Sequence, residues 1–293
     1  MNKKLTIAIP TYNRPEKIKM QVELLLPQLN EDVELIVMDN CSPIPVENLF
    51  SEEQKRKFKL VRNKVNIGAD ANIAKCFQKC DTKWLIVLGD DDPVEDYFVE
   101  TLLLDLRSQG ENTVFLCYDP ESKYIAKGLN EFATKASRRY WCLFWMSACV
   151  YNISLLKDYM HFYHYSISTM QPGIILLCNV LNENPQYEVH VMGKRMHKLA
   201  GPDIHWNRDS FVYASLFVFD VLWKMKQELN ATLFSTITGL LYRHTITISK
   251  NEKNLKHSLR LISDIRRRRG VKATFKYDLH WYVRAVWHAF FRK

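Results

Sequence analysis

Within the first hundred residues, four short apolar runs alternate with stretches of helical periodicity, and this alternation constrains the fold more than any other feature. Residues 5–9, 33–38, 58–61 and 84–88 read as strands. Ile18, Val22, Leu25, Leu26 and Leu29 recur at helical spacing after the first run. Ile73, Ala74 and Phe77 mark a helix after the third, and residues 94–106 read as a helix after the fourth. Strands separated by helices predict an α/β protein with a mostly parallel sheet and helices on both faces. Ligands of such sheets bind beyond the carboxyl ends of the strands.

That rule directs attention to the loops. Thr11-Tyr12-Asn13, Asp39-Asn40 and Asp90-Asp91-Asp92 each follow an apolar run, so one sheet edge should gather them. Asn66-Ile67-Gly68 stands where a helix opens, and free backbone N–H groups there favour an anion such as a phosphate. The three adjacent carboxylates repel one another unless they are hydrated or share a cation. Oxygen donors of this kind suit Mg²⁺ or Mn²⁺, which bind through one or two carboxylates together with substrate phosphates. The other reading is an acidic cap on a helix beginning near Pro93. Asp39 is either a turn former or an acceptor for a ring N–H or a ribose hydroxyl. Tyr12 is either a surface aromatic or a platform for a base.

The second half is less regular. Residues 113–118, 142–151 and 187–192 read as strands, 174–181 as a buried helix starting near Pro172, and 211–229 as a long apolar helix. A soft boundary falls between Leu106 and Thr113. The seven cysteines are scattered and form no CxxC pair, which reads as reduced thiols in a cytoplasmic protein rather than a zinc site. No apolar stretch approaches the roughly 20 residues of a spanning helix. Of the net charge of +9, all is carried by residues 251–293, with twelve Lys/Arg against three Asp/Glu; the first 250 residues hold 29 of each sign. A neutral body with a basic tail argues against a nucleic-acid protein with basic faces throughout. In that tail Phe275, Leu279, Tyr282, Val283, Val286 and Phe290 form an apolar helical stripe beside His280, Arg284, His288 and Arg292. This reads either as an interfacial helix on an anionic membrane or as a helix docked on the body, and the run Arg266-Arg267-Arg268-Arg269 offers RNA binding as a third reading, which no known RNA-binding motif accompanies.

Ile7–Arg14, Leu35–Ser42, Asn66-Ile67-Gly68 with Asn72, and Trp84–Asp92 resemble, in order, the successive motifs of the family 2 glycosyltransferases of GT-A fold. The resemblance covers residues 4 to about 107. It implies transfer of a sugar from a nucleoside diphosphate sugar, a UDP-sugar being favoured, usually with inversion and with Mn²⁺ or Mg²⁺. Thr11, Tyr12, Asn13 and Asp39 would hold the nucleoside, and Asn66, Gly68, Asn72 and Asp90 would lie near the base, ribose or phosphates. Asp91 and Asp92 would hold the metal.

Two departures stand out. The family's acidic motif usually reads Asp-x-Asp-Asp, and Gly89 takes the place of its first Asp. In that register Asp91 is the metal-binding Asp; a shift by one makes Asp90 and Asp92 the pair. The Gly-Asp-Asp-Asp form looks like the branch that includes transferases of bacterial surface-polysaccharide synthesis. The family also usually places a Glu-Asp pair at a helix start in the acceptor half, where the Asp is the general base. Here that helix begins at Met170-Gln171-Pro172-Gly173, and Gln171 cannot act as a base. The candidates in the same half are His161, His164, Glu183, Asp203 and His205, with Asp203 ranked first. Gln171 and Trp206 are placed on the acceptor side.

The expected organisation is therefore a donor half over residues 1–107, an acceptor half over 108–230, and a basic helical region over 231–293. The expected acceptor is a saccharide or a polyprenyl-linked saccharide. The enzyme would be cytoplasmic, peripheral on the inner face of the membrane, with no nucleic-acid partner. A sugar nucleotidyltransferase and a non-catalytic nucleotide-sugar- or membrane-binding protein are the alternatives.

Overall fold

The computed structural model describes residues 3–136, 141–169 and 172–198. Gln171, Asp203, His205, Trp206, the 211–229 helix and the whole basic tail lie outside the described residues. Residues Met1–Ile167 and Pro172–Ile204 make one compact unit; Ser168–Gln171 and His205–Lys293 make a second.

The first unit is built on one sheet of eight strands in the order β3-β2-β1-β4-β7-β5-β8-β6. The strands are β1 (Leu5–Thr11), β2 (Val33–Asp39), β3 (Lys59–Arg62), β4 (Trp84–Val87), β5 (Thr113–Cys117), β6 (Lys123–Lys127), β7 (Cys149–Asn152) and β8 (Glu188–Met192). β7 runs antiparallel to β4 and β5, and β6 antiparallel to β8; the remaining pairs are parallel. Six strands thus point one way and two are reversed, the mixed, mostly parallel sheet that the sequence implies.

The central strands are apolar on both sides because both sides are covered. Ile7, Ile9, Leu35, Val37, Ile86, Val150 and Leu116 share one face by register and alternation. They join one buried cluster with Ile18, Val22 and Leu25 of α1 (Pro15–Leu25) and Phe98, Leu102 and Leu106 of α4 (Phe98–Arg107). Between these helices come the short α2 (Glu52–Lys55) and α3 (Ala69–Gln78). α3 covers the opposite face, where Phe77 packs edge-on against Tyr151 with ring centroids 5.1 Å apart. Farther along are α5 (Gly128–Ala136), α6 (Ile153–Leu156), α7 (Met160–Tyr165) and α8 (Pro172–Glu183). Tyr163 of α7 also stacks on Phe77, at 4.5 Å.

Four local features differ from the sequence reading, each for a visible reason. β1 continues through Pro10 to Thr11 instead of ending at Ile9. Ala8 accepts from Leu88 N, and two residues on, Pro10 faces the same side, where β4 has already turned away. The missing N–H therefore costs no ladder bond. The helix read at 94–106 begins only at Phe98. Val94 is held in a bridge to His197 and Glu95 N donates to Met196 O, so that backbone is committed elsewhere. Of the apolar stretch 142–151, only Cys149 onward pairs; 3₁₀ turns at Trp141–Phe144 and Met146–Ala148 precede it. β6 and α5 do not announce themselves in the sequence. All seven cysteines are free thiols. No helix among the described residues is long and apolar enough to cross a membrane.

Phe98 is fully buried where α4 meets the sheet. Phe98→Ala should cost about 3–5 kcal/mol of stability, read as a lowered urea midpoint at unchanged slope.

Candidate active site at the sheet edge

The parallel register sets Thr11 level with Asp39 and carries β4 out to residues 89–92 beside them. The three carboxylates at the end of β4 each find a different surrounding. Asp90 turns inward, where it accepts from Thr11 Oγ1 at 2.6 Å and from Arg14 Nη1 at 2.8 Å. Asp91 accepts from the same Arg14 nitrogen at 3.0 Å, but its side chain is 30% exposed against 5% for Asp90. Asp92 folds back toward β7, accepting from Trp145 Nε1 at 2.9 Å and from Ser147 Oγ at 2.5 Å. Ser147 Oγ in turn accepts from Gly89 N at 2.8 Å. His197 Nε2 donates to the Ser147 carbonyl at 2.7 Å, and its ring lies 4.4 Å from that of Trp145.

These environments shift the titrations. Burial raises the Asp90 carboxyl above its ordinary value, against the Thr11 hydrogen bond and the Arg14 charge. Burial pulls the Arg14 guanidinium down, but Asp90 and then Asp91 more than offset it, so its pKa rises and it stays charged. Burial lowers the His197 imidazole, against the pull of Asp92.

Gly89 explains its own departure from the usual motif. A Cβ there would stand 2.6 Å from Asp92 Oδ2 and 3.3 Å from Asp91 Oδ1. The carboxylate of Asp92 occupies the space that a side chain at position 89 would need.

The loops after β1, β2 and β3 form the neighbouring part of the edge. Asn13 and Cys41 both have positive φ, at 53° and 65°, uncommon for residues with a Cβ and a sign of loops held by their surroundings. Asn13 N donates to Ser42 Oγ at 2.9 Å. Asp39 is fully buried; it accepts from Ser42 N at 2.8 Å and Val46 N at 3.4 Å and pairs with Arg62. Its carboxylate is thus engaged within the protein. Asn40 bonds Asn66 Oδ1 and Gly68 O through its amide, while its oxygen accepts from Ile67 N and Asn63 Nδ2. Asn72 is buried and ties Met38 O to Asn63. These side chains fix the Asn66–Gly68 turn. Tyr12, Ile44, Val65 and Ile67 of these loops are exposed.

The acceptor-side candidates among the described residues, His161, His164 and Glu183, are not gathered here. Glu183 closes α8, shortly before β8 starts at Glu188 opposite Thr113, at the sheet edge away from residues 89–92. His164 on α7 meets Gln78 at the far end of α3, and His161 is exposed on the same helix. Sequence reasoning gave no role to Arg14, Trp145, Ser147 or His197. Arg14 was within a quoted motif; the other three carry no local signal.

Among the described residues, no group of three or more His, Cys, Asp or Glu side chains stands placed to hold a metal ion. A single outward carboxylate with phosphate oxygens completing the shell nevertheless fits the habits of Mg²⁺ and Mn²⁺. Asp91 offers that donor.

Two outcomes follow from this geometry. Gly89→Asp, which restores the usual motif residue, should destabilise the protein by about 1–3 kcal/mol through overpacking. A melting temperature equal to or above that of the wild type would contradict it. Asp90, with its raised folded pKa, contributes stability that is fully present below the unfolded value and is lost as pH rises through the folded one. Asp90→Asn does not titrate, so its stability relative to wild type should increase as pH rises above the ordinary carboxylate range, as urea midpoints would show.

The model of the family described as glycosyl transferase family 2 matches residues 6–155, just over half of the chain. An uncharacterized glycosyltransferase of Haemophilus influenzae is 29% identical over 128 residues, 42% of this chain and 41% of that protein. The match thus spans about two fifths of that relative's length. The crystal structure of S. aureus TarS 1–349 superposes with a TM-score of 0.64 at 14% identity, covering 90% of this chain and 80% of that one. The same fragment in complex with UDP-GlcNAc gives 0.62 at 13% identity, covering 92% and 82%. The mannosyltransferase PcManGT of Pyrobaculum calidifontis, in complex with GDP-Man and Mn²⁺, gives 0.51 at 10% identity, covering all of this chain and 89% of the other. These likenesses bear out the expected GT-A architecture. The family match over more than half of its length establishes that the chain belongs to glycosyl transferase family 2.

Proposed function

We propose that the chain transfers a sugar from a nucleoside diphosphate sugar, foremost a UDP-sugar, to a hydroxyl of a saccharide or lipid-linked saccharide acceptor in surface-polysaccharide synthesis, with inversion. The observation that carries the reading is Asp91, outward at the sheet edge beside Arg14, in a chain of this family. TarS in complex with UDP-GlcNAc and PcManGT with GDP-Man and Mn²⁺ support the donor class.

In this reading Tyr12, which is 43% exposed, stacks on the base, and the Asn66–Gly68 turn borders the ribose and phosphates. Thr11 and Asp90 brace the site from within, and Asp39 and Asn72 act by shaping its loops. Asp91 holds Mn²⁺ or Mg²⁺, which when bound neutralises the leaving diphosphate. Arg14 adds a fixed positive charge next to that position. Proton removal from the acceptor falls to a group of the acceptor side, with Asp203 first and His205 second, and Gln171 and Trp206 shape the acceptor pocket. Residues 1–107 form the donor half and 108–230 the acceptor half. The basic stretch 231–293 rests on the anionic inner face of the cytoplasmic membrane.

The test is a thermal-shift screen of UDP, GDP and their sugars with Mn²⁺ and with EDTA, followed by turnover of the donor that binds. A ligand at 100 times its Kd should stabilise by about 2.7 kcal/mol. Asp91→Ala should stay folded, lose the manganese-dependent shift and lose transfer. Wild-type turnover in that variant would overturn the assignment.

A further inference from the structure

Ser147 lies outside the four ordered motifs, yet it touches the acidic turn at both ends. Its hydroxyl accepts from Gly89 N at 2.8 Å and donates to Asp92 Oδ2 at 2.5 Å. A hydroxyl is the smallest side-chain group that does both at once. Ser147 is fully buried, so water does not compete for either bond. Trp145 supplies a second donor to the same oxygen of Asp92. Gln21 Nε2 holds the Asp92 carbonyl at 2.9 Å, so the end of the turn is fixed through main chain and side chain together. Behind Ser147, its carbonyl accepts from His197, whose backbone pairs with Val94 just past the turn.

We propose that Ser147 is a positioning residue: with Trp145 it clasps Asp92 back over Gly89 and so sets the turn that presents Asp91 outward. This rests on the reading that Asp91 meets a divalent cation on a nucleoside diphosphate. The clasp accounts for three observations together. A side chain at position 89 would have to displace the clasped carboxylate, which fills its space. Asp92 spends one oxygen on two donors of its own protein, and Asp91, between Asp90 and Asp92, is left the more exposed member of the Arg14-linked pair. The 3₁₀ turn Met146–Ala148 that interrupts the apolar run before β7 is what delivers the serine to this spot.

The experiment measures Kd for UDP and for GDP by calorimetry, each with Mn²⁺ and with EDTA, on the whole chain. The readout is the manganese gain, the ratio of the two Kd values for whichever nucleotide binds. A purely structural loss weakens both arms alike and leaves that ratio unmoved; loss of the clasp reduces it. Ser147→Ala should lower the gain at least tenfold while the EDTA arm stays within about threefold of wild type, a difference below about 0.7 kcal/mol. Trp145→Phe, which deletes one donor but keeps a ring, should lower the gain by a smaller factor, and it decides the matter alone if Ser147→Ala does not fold. A wild-type gain in the folded serine variant, or in Trp145→Phe where that one stands alone, overturns the proposal. Asp91→Ala, run beside them, separates the two ideas. If it loses the gain while Ser147→Ala keeps it, the clasp is wrong and the cation site stands. If Asp91→Ala keeps the gain, or wild type shows none with either nucleotide, the cation reading fails and takes the clasp with it.

Discussion

Three carboxylates in succession at the end of a buried strand repel one another, and the fold around this edge is arranged to keep them apart. Two unit charges at 4 Å interact by about 4 kcal/mol at an effective dielectric of 20, several times the net value of an ordinary hydrogen bond. The protein gives each a different set of partners. Asp90 goes to Thr11 and Arg14, at the end of β1 and the start of α1. Asp92 goes to Trp145 and Ser147, just ahead of β7. Asp91 shares Arg14 and faces outward. The site therefore depends on strands far apart in sequence being correctly docked, and the reversed strand β7 matters because it brings the second set of donors to the edge.

The same dependence decides what the sequence could disclose. β1, β2, β4 and β5 are legible because central strands covered on both faces are largely apolar, and β8 because Val189 and Val191 alternate with half-buried residues. β6 is an edge strand whose residues are mostly exposed or half-buried, and Lys123 and Lys127 at its ends hide it among polar segments. α5 opens at Gly128, a residue that reads as punctuation, here with positive φ and no room for a Cβ against the Pro185 carbonyl. The stretch 142–151 is apolar because it is buried, and burial alone does not distinguish a strand from 3₁₀ turns. For the site, the loops were legible from the strand-end rule, which uses only local pattern. Their partners were not. Ser147 and His197 look like any serine and histidine until the topology brings them within reach of residues fifty or more positions away.

Gly89 ties these points together. In a motif that usually carries an acid at that position, a glycine invites two readings, a lost ligand or a shifted register. The packing supports neither in its simple form. A side chain at position 89 would displace Asp92, so the glycine is the counterpart of a folded-back aspartate. In the shifted register Asp90 and Asp92 would act as a pair, yet Asp90 is nearly enclosed by Thr11 and Arg14 while Asp92 is drawn the other way. Bringing both to one cation would break bonds on two sides of the turn, including the ion pair of Asp90 with Arg14. The middle carboxylate has the lowest barrier to taking a new partner. It is the more exposed of the two on Arg14, and a cation arriving there displaces a single shared hydrogen bond while Arg14 keeps Asp90. On the proposed function, the arginine then stands where it can turn part of its charge from a carboxylate to a diphosphate, so the protein's own neutralisation of its acidic edge prepares the site for an anionic donor.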